Sequence, residues 1–181
     1  MEKLLDEERF NFVTKENKTF ILEFTKQIRS LNYDFDGTIG NGFNWGNYQI
    51  IYSLNGIKNS RNIIARIFLR DNCTITSGDR EINFKKGIAL RLYFSNINKH
   101  INFIMDAPIH IKERFTNNSG MCNYCAEQCY KRKIYTIERK EMVKCRDIFE
   151  YDKPKIKDIK DYIGILKEFY GKKDNKNKKL K

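Results

Sequence analysis

The sequence has no long apolar stretch and no sign of a secretion signal. None of its apolar runs approaches the ~20 residues that a membrane-spanning helix needs. The start of the chain, MEKLLDEERF, is acidic and amphipathic, and it lacks the basic start, apolar centre and cleavage site of a signal peptide. We therefore expect a cytoplasmic protein that makes no contact with a membrane.

Proline and alanine are also scarce, whereas lysine, asparagine and isoleucine are common. AT-rich coding produces this bias whatever a protein binds, so the bias indicates no function. The hydrophobic fraction of 40% and the aromatic fraction of 13% are typical of a globular chain. A chain of 181 residues can bury an adequate core without disulfides. We predict one domain over residues 1–171 and a disordered basic tail over residues 172–181.

The net charge of +12 is concentrated in two segments. Residues 131–146 contain seven basic and two acidic side chains, and residues 171–181 contain six lysines and one aspartate. Such segments suit the phosphate backbone of a nucleic acid or an acidic protein partner. A solvated lysine-rich surface is the alternative. The candidate nucleic-acid contacts are Lys131, Arg132, Lys133, Arg139 and Lys140.

Hydrophobic periodicity predicts helices before, within and after a group of strands. Helices are expected at residues 2–10, 19–31, 96–105, 109–115 and 155–170, with Asn17 as the N-cap of the second. Strands are expected at residues 48–54, 63–70, 82–84, 88–94, 134–138, 142–146 and 148–151. The glycine-rich segment 32–46 is predicted to be a loop. This order predicts an α+β fold, an antiparallel β-meander with helices packed on one face.

Four of the five cysteines have a spacing that suits a metal ion. They follow the pattern C-x2-C-x3-C-x15-C, and the last one ends a predicted hairpin that can return it to the other three. Four thiolates around Zn²⁺ form a closed, structural site rather than a catalytic one. We predict one zinc ion bound by Cys122, Cys125, Cys129 and Cys145. The metal-binding region, residues 120–147, would form a small C-terminal knuckle and hairpin.

Other interpretations of the cysteine cluster are open. An iron–sulfur cluster also takes four thiolates, with a spacing not far from this one. Disulfides are disfavoured in a reducing cytosol, and the thiols could also be unligated. His100 and His110, the only histidines, are alternative zinc ligands in place of one cysteine. Cys73 lies far away in the sequence and is expected to take no part.

A second candidate site combines aromatic residues with arginines. Three aromatic residues lie in or beside the glycine-rich loop, where rings suit a small ligand or a stacked base. Two arginines at alternate positions share a face of one predicted strand, and a third lies on an adjacent strand. The alternative is a loop packed on the sheet beside a solvated arginine face. The predicted ligand-binding residues are Phe43, Trp45, Tyr48, Arg66, Arg70 and Arg91.

The segment DFDGT at residues 34–38 matches the DxDGT pattern of haloacid-dehalogenase-type phosphatases. The resemblance implies that Asp34 is a nucleophile and Asp36 a general acid, with Mg²⁺ between them. In that family the motif ends a buried parallel strand within alternating strands and helices, whereas here it follows a predicted helix. We interpret the segment as part of a structured loop. The enzyme question stays open, and a protein without catalytic activity is favoured.

Two long stretches carry a resemblance to known proteins. They are GFNWGNYQIIYSLNGIKNS with ARIFLR, and LRLYFSNINKHINFIMDAPIHIKERFTNNSGMCNYC. Over most of residues 20–170 the chain resembles a group of small bacterial cytosolic proteins, a domain of unknown function with a C-terminal cysteine cluster. The resemblance implies no known activity. At the level of fold alone, the chain is similar to small α+β domains of the double-wing type. The resemblance picks out Trp45, Lys99, His100, Pro108, Cys122, Cys125, Cys129 and Cys145.

Three functions follow from these observations. The first is a binding or regulatory module with a structural zinc site that contacts nucleic acid or an acidic partner. The second is a small-molecule sensor with a pocket around Trp45. The third is an iron–sulfur or thiol redox sensor. The sequence favours the first.

Overall fold

The computed structural model of this protein describes residues 1–57, 62–77, 80–117, 132–145 and 147–171. The α-helices are α1 (Glu2–Leu5), α2 (Lys15–Ile28), α3 (Ile101–Asp106), α4 (Ile109–Thr116) and α5 (Ile159–Tyr170). Short 3₁₀ helices occur at Glu8–Phe10, Arg29–Leu31, Ile97–His100 and Ile156–Asp158. Within these ranges, every helix is too short or too polar to cross a lipid bilayer.

The strands of the described residues pair in antiparallel fashion throughout. They are β1 (Tyr33–Phe35), β2 (Gly40–Asn41), β3 (Tyr48–Leu54), β4 (Ile63–Arg70), β5 (Cys73–Ser77), β6 (Arg80–Phe84), β7 (Gly87–Tyr93), β8 (Arg132–Ile137), β9 (Lys140–Cys145) and β10 (Ile148–Asp152). The main sheet has the order β1-β3-β4-β7-β10, with β2 also paired to β3. The predicted α+β class with an antiparallel sheet is confirmed.

The sheet is not a simple meander. Strands β4 and β7 are neighbours in the main sheet, although β5 and β6 lie between them in the sequence. These two strands form a hairpin of their own, as do β8 and β9. Strand β5 was not predicted, because a short segment of mixed polarity becomes a strand only through its pairing with β6.

One face of the main sheet belongs to the hydrophobic core. Ile50, Ile67, Leu90 and Tyr151 lie directly opposite one another on four consecutive strands, β3, β4, β7 and β10. All four side chains are buried in the core cluster. Since side chains alternate between the two faces of a strand, the residues next to them in sequence point away from the core.

Helix α2 covers this face. Its N-cap is Thr14 and not the predicted Asn17, because the Thr14 Oγ1 atom accepts a hydrogen bond from the Asn17 backbone N–H. The Phe24 ring meets the Tyr52 ring edge to face, with 5.3 Å between centroids. Thr25 Oγ1 and Tyr52 OH are joined by a hydrogen bond of 2.7 Å. Burial of each such ring stabilises the fold by about 1.5–3 kcal/mol, so these contacts hold α2 on the sheet.

Helices α4 and α5 cover the rest of the same face. The Phe115 ring of α4 stacks on Phe149 of β10 at a centroid distance of 4.3 Å. The Tyr162 ring of α5 meets Tyr151 of β10 at 4.9 Å. The hairpin of β8 and β9 is anchored beside them, since Tyr135 OH donates a hydrogen bond of 2.6 Å to the Phe115 carbonyl oxygen.

The segment predicted as a loop, residues 32–46, contains two strands. β1 and β2 are short, and both are held by hydrogen bonds to β3. The loop prediction was therefore wrong at these positions. The cause is physical: pairing with a long central strand imposes an extended backbone on polar segments that have no strand pattern of their own.

Candidate functional site

The face of the main sheet away from the core carries arginines. Arg66 of β4 lies directly opposite Arg91 of β7, and Arg91 lies directly opposite Glu150 of β10. Like charges at directly opposed positions destabilise a sheet. The arginines on this face therefore need carboxylate partners or a bound anion. The partners of each arginine show which guanidinium groups are already paired.

A loop formed by residues 36–47 folds over this face. Gly42 N donates a hydrogen bond of 3.1 Å to Asn47 O. A Cβ atom on Gly42 would lie 2.3 Å from the carbonyl oxygen of Gly46, and one on Gly46 would lie 2.9 Å from that of Leu69. Glycine is therefore required at both positions for the loop to close on itself and to approach β4.

The loop brings Trp45 against two of the arginines. The Arg91 Cζ atom lies 4.0 Å from the centroid of the Trp45 ring and 4.8 Å from that of Phe68. Arg70 donates from Nε to the Trp45 carbonyl oxygen at 2.8 Å, and its Cζ lies 4.1 Å from the Phe84 ring. Contacts between a guanidinium and an aromatic face contribute roughly 0.5–2 kcal/mol each. Trp45 therefore fixes the loop on the arginine face.

Arg70 and Arg91 also share one carboxylate. Arg70 Nη2 and Arg91 Nε each donate a hydrogen bond of 2.9 Å to Glu150, and Arg91 Nη2 donates a further one. Arg70 Nη1 donates to Asp152 Oδ1 at 2.9 Å. Burial alone would raise the pKa of Glu150, but the guanidinium groups of Arg91 and Arg70 outweigh it and hold that pKa below its ordinary value. Both arginines are thus neutralised within the fold.

Arg66 differs from its two neighbours. Its Nη1 atom donates a hydrogen bond of 3.1 Å to Gln49 Oε1, and its Cζ lies 5.8 Å from the Tyr93 ring. Its Nε atom is buried without a hydrogen-bond partner, and no carboxylate in the described ranges forms an ion pair with it. A buried donor without an acceptor costs about 1–3 kcal/mol. Among the described residues, Arg66 therefore lacks the carboxylate acceptor that Arg70 and Arg91 have.

Arg66 lies on the wall of a depression with a volume of about 400 Å³. Small-molecule sites in proteins usually measure about 300–1,000 Å³. The wall combines one guanidinium, one carboxylate, amide and hydroxyl groups, and two apolar side chains. The lining residues are Asp36, Thr38, Gly40, Asn41 and Phe43 from β2 and the loop around it, and Gln49, Ile51 and Arg66 from β3 and β4.

The loop side of the depression is ordered by local hydrogen bonds. Asp36 Oδ1 accepts from the Thr38 backbone N–H at 3.0 Å and from its hydroxyl at 2.7 Å. Asn41 Oδ1 accepts from the Phe43 N–H at 2.6 Å. Gln49 Nε2 donates to the Asn41 carbonyl oxygen at 2.7 Å. Gln49 therefore ties the floor of the depression to its loop wall.

Phe43 occupies a left-handed backbone conformation, with φ of 50°. Its side chain is 73% exposed. For an aromatic residue this backbone conformation is unusual and costs of order 1–3 kcal/mol, and such strain tends to occur at binding sites. The ring gains almost no burial in return, so packing of the loop does not account for its position at the edge of the depression.

The structure divides the six predicted ligand-binding residues. Phe43 and Arg66 line the depression. Three others lie on the same face but are engaged with one another and with Glu150: Trp45, Arg70 and Arg91. Two of the six predicted residues therefore lie on the wall of the depression, and two of the three predicted arginines are paired with a carboxylate of the fold. Ligand binding at these residues stays a prediction.

The sixth predicted residue, Tyr48, lies on the core side of the sheet. Its ring is 5.0 Å from that of Phe10, so it packs against the 3₁₀ helix Glu8–Phe10 and does not line the depression. Sequence reasoning missed Gln49 and Ile51, which line the depression from the same strand. The alternation of β3 could have identified them, because both have the opposite parity to the core residue Ile50.

Three of the four predicted zinc ligands, Cys122, Cys125 and Cys129, lie outside the described residues. The fourth, Cys145, is the last residue of β9, at the end of the hairpin where the sequence placed it. The zinc site thus stays a prediction. Cys73 begins β5 and is a partly buried free thiol.

The predicted nucleic-acid contacts belong to the hairpin of β8 and β9. Lys133, Arg139 and Lys140 have exposed side chains. Arg132 is the first residue of β8, and Lys131 lies outside the described residues. Glu138 and Arg139 both have positive φ values, 49° and 63°, as in a tight type I′ hairpin turn. Contact of this surface with nucleic acid stays a prediction.

The DFDGT segment has no phosphatase-like surroundings. Asp34 lies in β1, an edge strand that pairs antiparallel with β3, opposite Ser53. Its Oδ2 atom accepts from Arg29 Nε at 2.8 Å, and its Oδ1 atom accepts from the Phe35 N–H. In the phosphatases that the pattern resembles, the motif ends a buried parallel strand. Here Asp34 supports the entry into the sheet instead.

Comparisons with protein-family models, with curated proteins and with solved structures find no match to the chain. The function therefore has to be argued from the geometry around Arg66 and from the chemistry of the groups that surround it.

Proposed function

We propose that this protein is a binding module for a small anionic molecule, which occupies the depression at Arg66. One observation carries the proposal. Of the three arginines on this face, Arg66 alone has no carboxylate partner within the described ranges, and it lies on the wall of a depression of ligand size. A planar guanidinium with unused donors matches a carboxylate or a phosphate in a two-pronged hydrogen-bonded pair.

The other residues on the wall of the depression narrow the range of possible ligands. Ile51 and the exposed ring of Phe43 offer apolar surface, so the anionic group should be attached to a small, flat, apolar body. The side-chain amide of Asn41 adds hydrogen-bonding groups, which suit a hydroxyl or amine on the same molecule. A carboxylate or phosphate on an aromatic ring meets these requirements.

The neutralised arginines support such a site. Arg70 and Arg91 hold the loop in place through Trp45 before any ligand arrives. A site that is ordered in advance loses less conformational entropy on binding. Trp45 also gives the site a fluorescent reporter, because it is the only tryptophan of the chain and belongs to the loop that supplies Phe43 to the wall of the depression.

The proposal is tested by titration with three probes of similar size, benzoate, phenyl phosphate and uncharged benzyl alcohol. Trp45 fluorescence and calorimetry should detect one of the two anions, whereas benzyl alcohol should bind at least tenfold more weakly. Arg66→Gln should weaken the anion about 10- to 100-fold, since a hydrogen bond to a charged group contributes about 1.5–3 kcal/mol.

Arg139→Gln is the matched control, because it removes the same charge from the exposed turn of the β8–β9 hairpin. Its affinity for the probes should equal that of the wild type. Three results would each contradict the proposal. They are equal affinity for the charged and uncharged probes, an affinity of Arg66→Gln for the anion equal to that of the wild type, and no binding of either anion at millimolar concentration.

We also propose that the cysteine cluster binds one structural zinc ion, on the support of its spacing alone. Elemental analysis of the purified protein should find one equivalent of zinc, and Cys125→Ser should lose it. Substoichiometric zinc without iron would refute a metal at this position. Iron with a brown colour in anaerobic preparations would instead favour the redox-sensor alternative.

A further inference from the structure

The two histidines of the chain face carboxylates of helix α5 in different ways. His100 Nδ1 and Glu168 Oε1 are 2.8 Å apart, which is an ordinary hydrogen bond. His110 Nε2 and Asp161 Oδ2 are 3.5 Å apart, and this nitrogen is buried without a hydrogen-bond partner in the part of the chain that the structure describes. One histidine is therefore satisfied by the fold, whereas the other faces an acceptor at a distance that leaves its nitrogen unused.

A second carboxylate completes a cluster at His110. Asp158, His110 and Asp161 each offer a ligand atom, and these three atoms all lie within 4.8 Å of one another. Asp158 is the N-cap residue of α5, but its side chain makes no capping hydrogen bond. Capping of the helix therefore does not account for the position of this carboxylate. The cluster spans two elements, since His110 belongs to α4 and the aspartates to the start of α5.

From this geometry we propose that His110, Asp158 and Asp161 form a binding site for a divalent cation of the Mn²⁺ or Zn²⁺ class. An imidazole nitrogen and carboxylate oxygens are ligands that both ions accept. Two carboxylates and a neutral imidazole carry a charge of −2, which the cation balances. Ligand bonds of about 2.0–2.2 Å would require only a modest approach of the three atoms.

The surroundings suit such a site. The ring of Tyr162 meets the His110 imidazole edge to face at 5.9 Å and limits its rotation. The side chains of His110 and Asp161 are 32% and 18% exposed, so the cluster lies near the protein surface. A small movement of the side chains that cover the Nε2 atom would admit an ion, and water can fill the remaining coordination positions. Carboxylates in the first turn of a helix are also favoured by the helix dipole. The dipole does not explain an imidazole nitrogen that faces them without a hydrogen bond.

The experiment uses Mn²⁺ as the probe, because Mn²⁺ prefers oxygen and nitrogen ligands and competes poorly for a site made of thiolates. Electron paramagnetic resonance titration of the full chain should show one bound Mn²⁺. His110→Phe keeps a flat ring but removes the ligand atom, and it should weaken binding about tenfold or more. His100→Phe is the matched control, and its affinity should lie within about twofold of the wild type.

Asp158→Asn guards against a variant that fails to fold, because the Asp158 side chain makes no capping hydrogen bond that the change could remove. It should keep the circular dichroism spectrum of the wild type and weaken Mn²⁺ about tenfold or more. No Mn²⁺ binding by the wild type at millimolar concentration would overturn the proposal. The proposal would also be overturned if Asp158→Asn lost Mn²⁺ binding while His110→Phe bound Mn²⁺ as tightly as the wild type. That result would indicate only attraction of the ion by acidic charge. Arg66→Gln should leave Mn²⁺ binding unchanged, so this test is independent of the anion site.

Discussion

The two faces of the main sheet are made from the same strands, one residue apart. The core row is Ile50, Ile67, Leu90 and Tyr151, and the row beside it on the other face is Ile51, Arg66, Arg91 and Glu150. Helices α2, α4 and α5 cover the first row, and a glycine-rich loop covers part of the second. The core row is held by apolar burial, whereas the second depends on the pairing of charges.

One face of the sheet therefore contributes most of the apolar packing, whereas the other face carries the charged side chains. Apolar burial is non-directional, and any well-shaped side chain serves it. Buried charges need partners in fixed positions, and a charge without one is a cost to the fold. Among the residues that the structure describes, this requirement is satisfied for Arg70 and Arg91 but not for Arg66. The exception is where we place the ligand.

The largest effect should come from a matched pair of phenylalanines on the two sides of the sheet. Phe24→Ala removes a fully buried ring and should lower the free energy of unfolding by about 3–5 kcal/mol. Phe43→Ala removes an exposed ring and should change it by less than about 0.5 kcal/mol. Urea denaturation of both variants measures the difference. Similar losses in the two would show that the loop side contributes as much packing as the core.

The next effect concerns the carboxylate between the two neutralised arginines. Glu150→Gln should lower the free energy of unfolding at pH 7 by about 3 kcal/mol, because it leaves two buried guanidinium groups without their shared anion. The pKa of Glu150 is held below its ordinary value of 4.5. Its contribution is therefore fully present above about pH 4.5 and is lost as the pH falls through the lowered folded-state pKa.

The pH dependence gives this prediction its control. The difference in stability between the wild type and Glu150→Gln should shrink as the pH falls below about 4.5. Denaturation curves at several pH values between neutrality and the acid transition provide the measurement. A difference that stays constant over that range would mean that the charge of Glu150 has no part in the effect.

A smaller effect should distinguish two arginines of the same strand. Arg70→Met breaks hydrogen bonds to Glu150, Asp152 and the Trp45 carbonyl, and it should cost about 1–3 kcal/mol of stability. Arg66→Met breaks one hydrogen bond, to Gln49, and also removes a donor that is buried without an acceptor among the described residues, so the loss should be smaller, below about 1 kcal/mol. Thermal unfolding compares the two directly. An equal loss in both would show that Arg66 is a structural residue.

The smallest effect on stability should come from the basic hairpin. Arg139→Gln should alter the free energy of unfolding by less than about 0.5 kcal/mol, because the side chain is exposed. If the hairpin contacts nucleic acid, the same change should weaken binding and reduce the slope of log affinity against log salt by about 1. Gel-shift titrations at several salt concentrations measure that slope. A wild type that shifts no nucleic acid at low salt would rule out the contact.

Strong local patterns made parts of the fold predictable. β3 and β4 were predicted at their observed bounds because each is a run of β-branched and aromatic residues between turn residues. The apolar stripe of α5 likewise predicted most of its length. The sequence did not predict β1, β2 and β5. Hydrogen bonds to other strands extend their backbones, and the local residue pattern contains no information about those partner strands.

The sequence likewise predicted only part of the candidate site. Alternation along β4 placed Arg66 and Arg70 on one face, and the glycine-rich loop suggested a pocket nearby. The partners were not predictable. Glu150 lies 80 positions from Arg70 and 59 from Arg91 in the sequence, so only the pairing of β7 with β10 brings it to them. The same is true of His110, whose aspartates belong to a helix that begins after the last strand.

The sequence by itself determined the class of the fold, the bounds of its strongest strands and the face on which the arginines lie, because these depend on the period of side chains along one segment. Only the tertiary structure decided which arginines are paired with a carboxylate. Sheet order places Glu150 beside Arg91 and within reach of Arg70, while Arg66 faces the loop and Gln49. Charge pairing acts across space, and it therefore depends on contacts that no single segment of the chain contains.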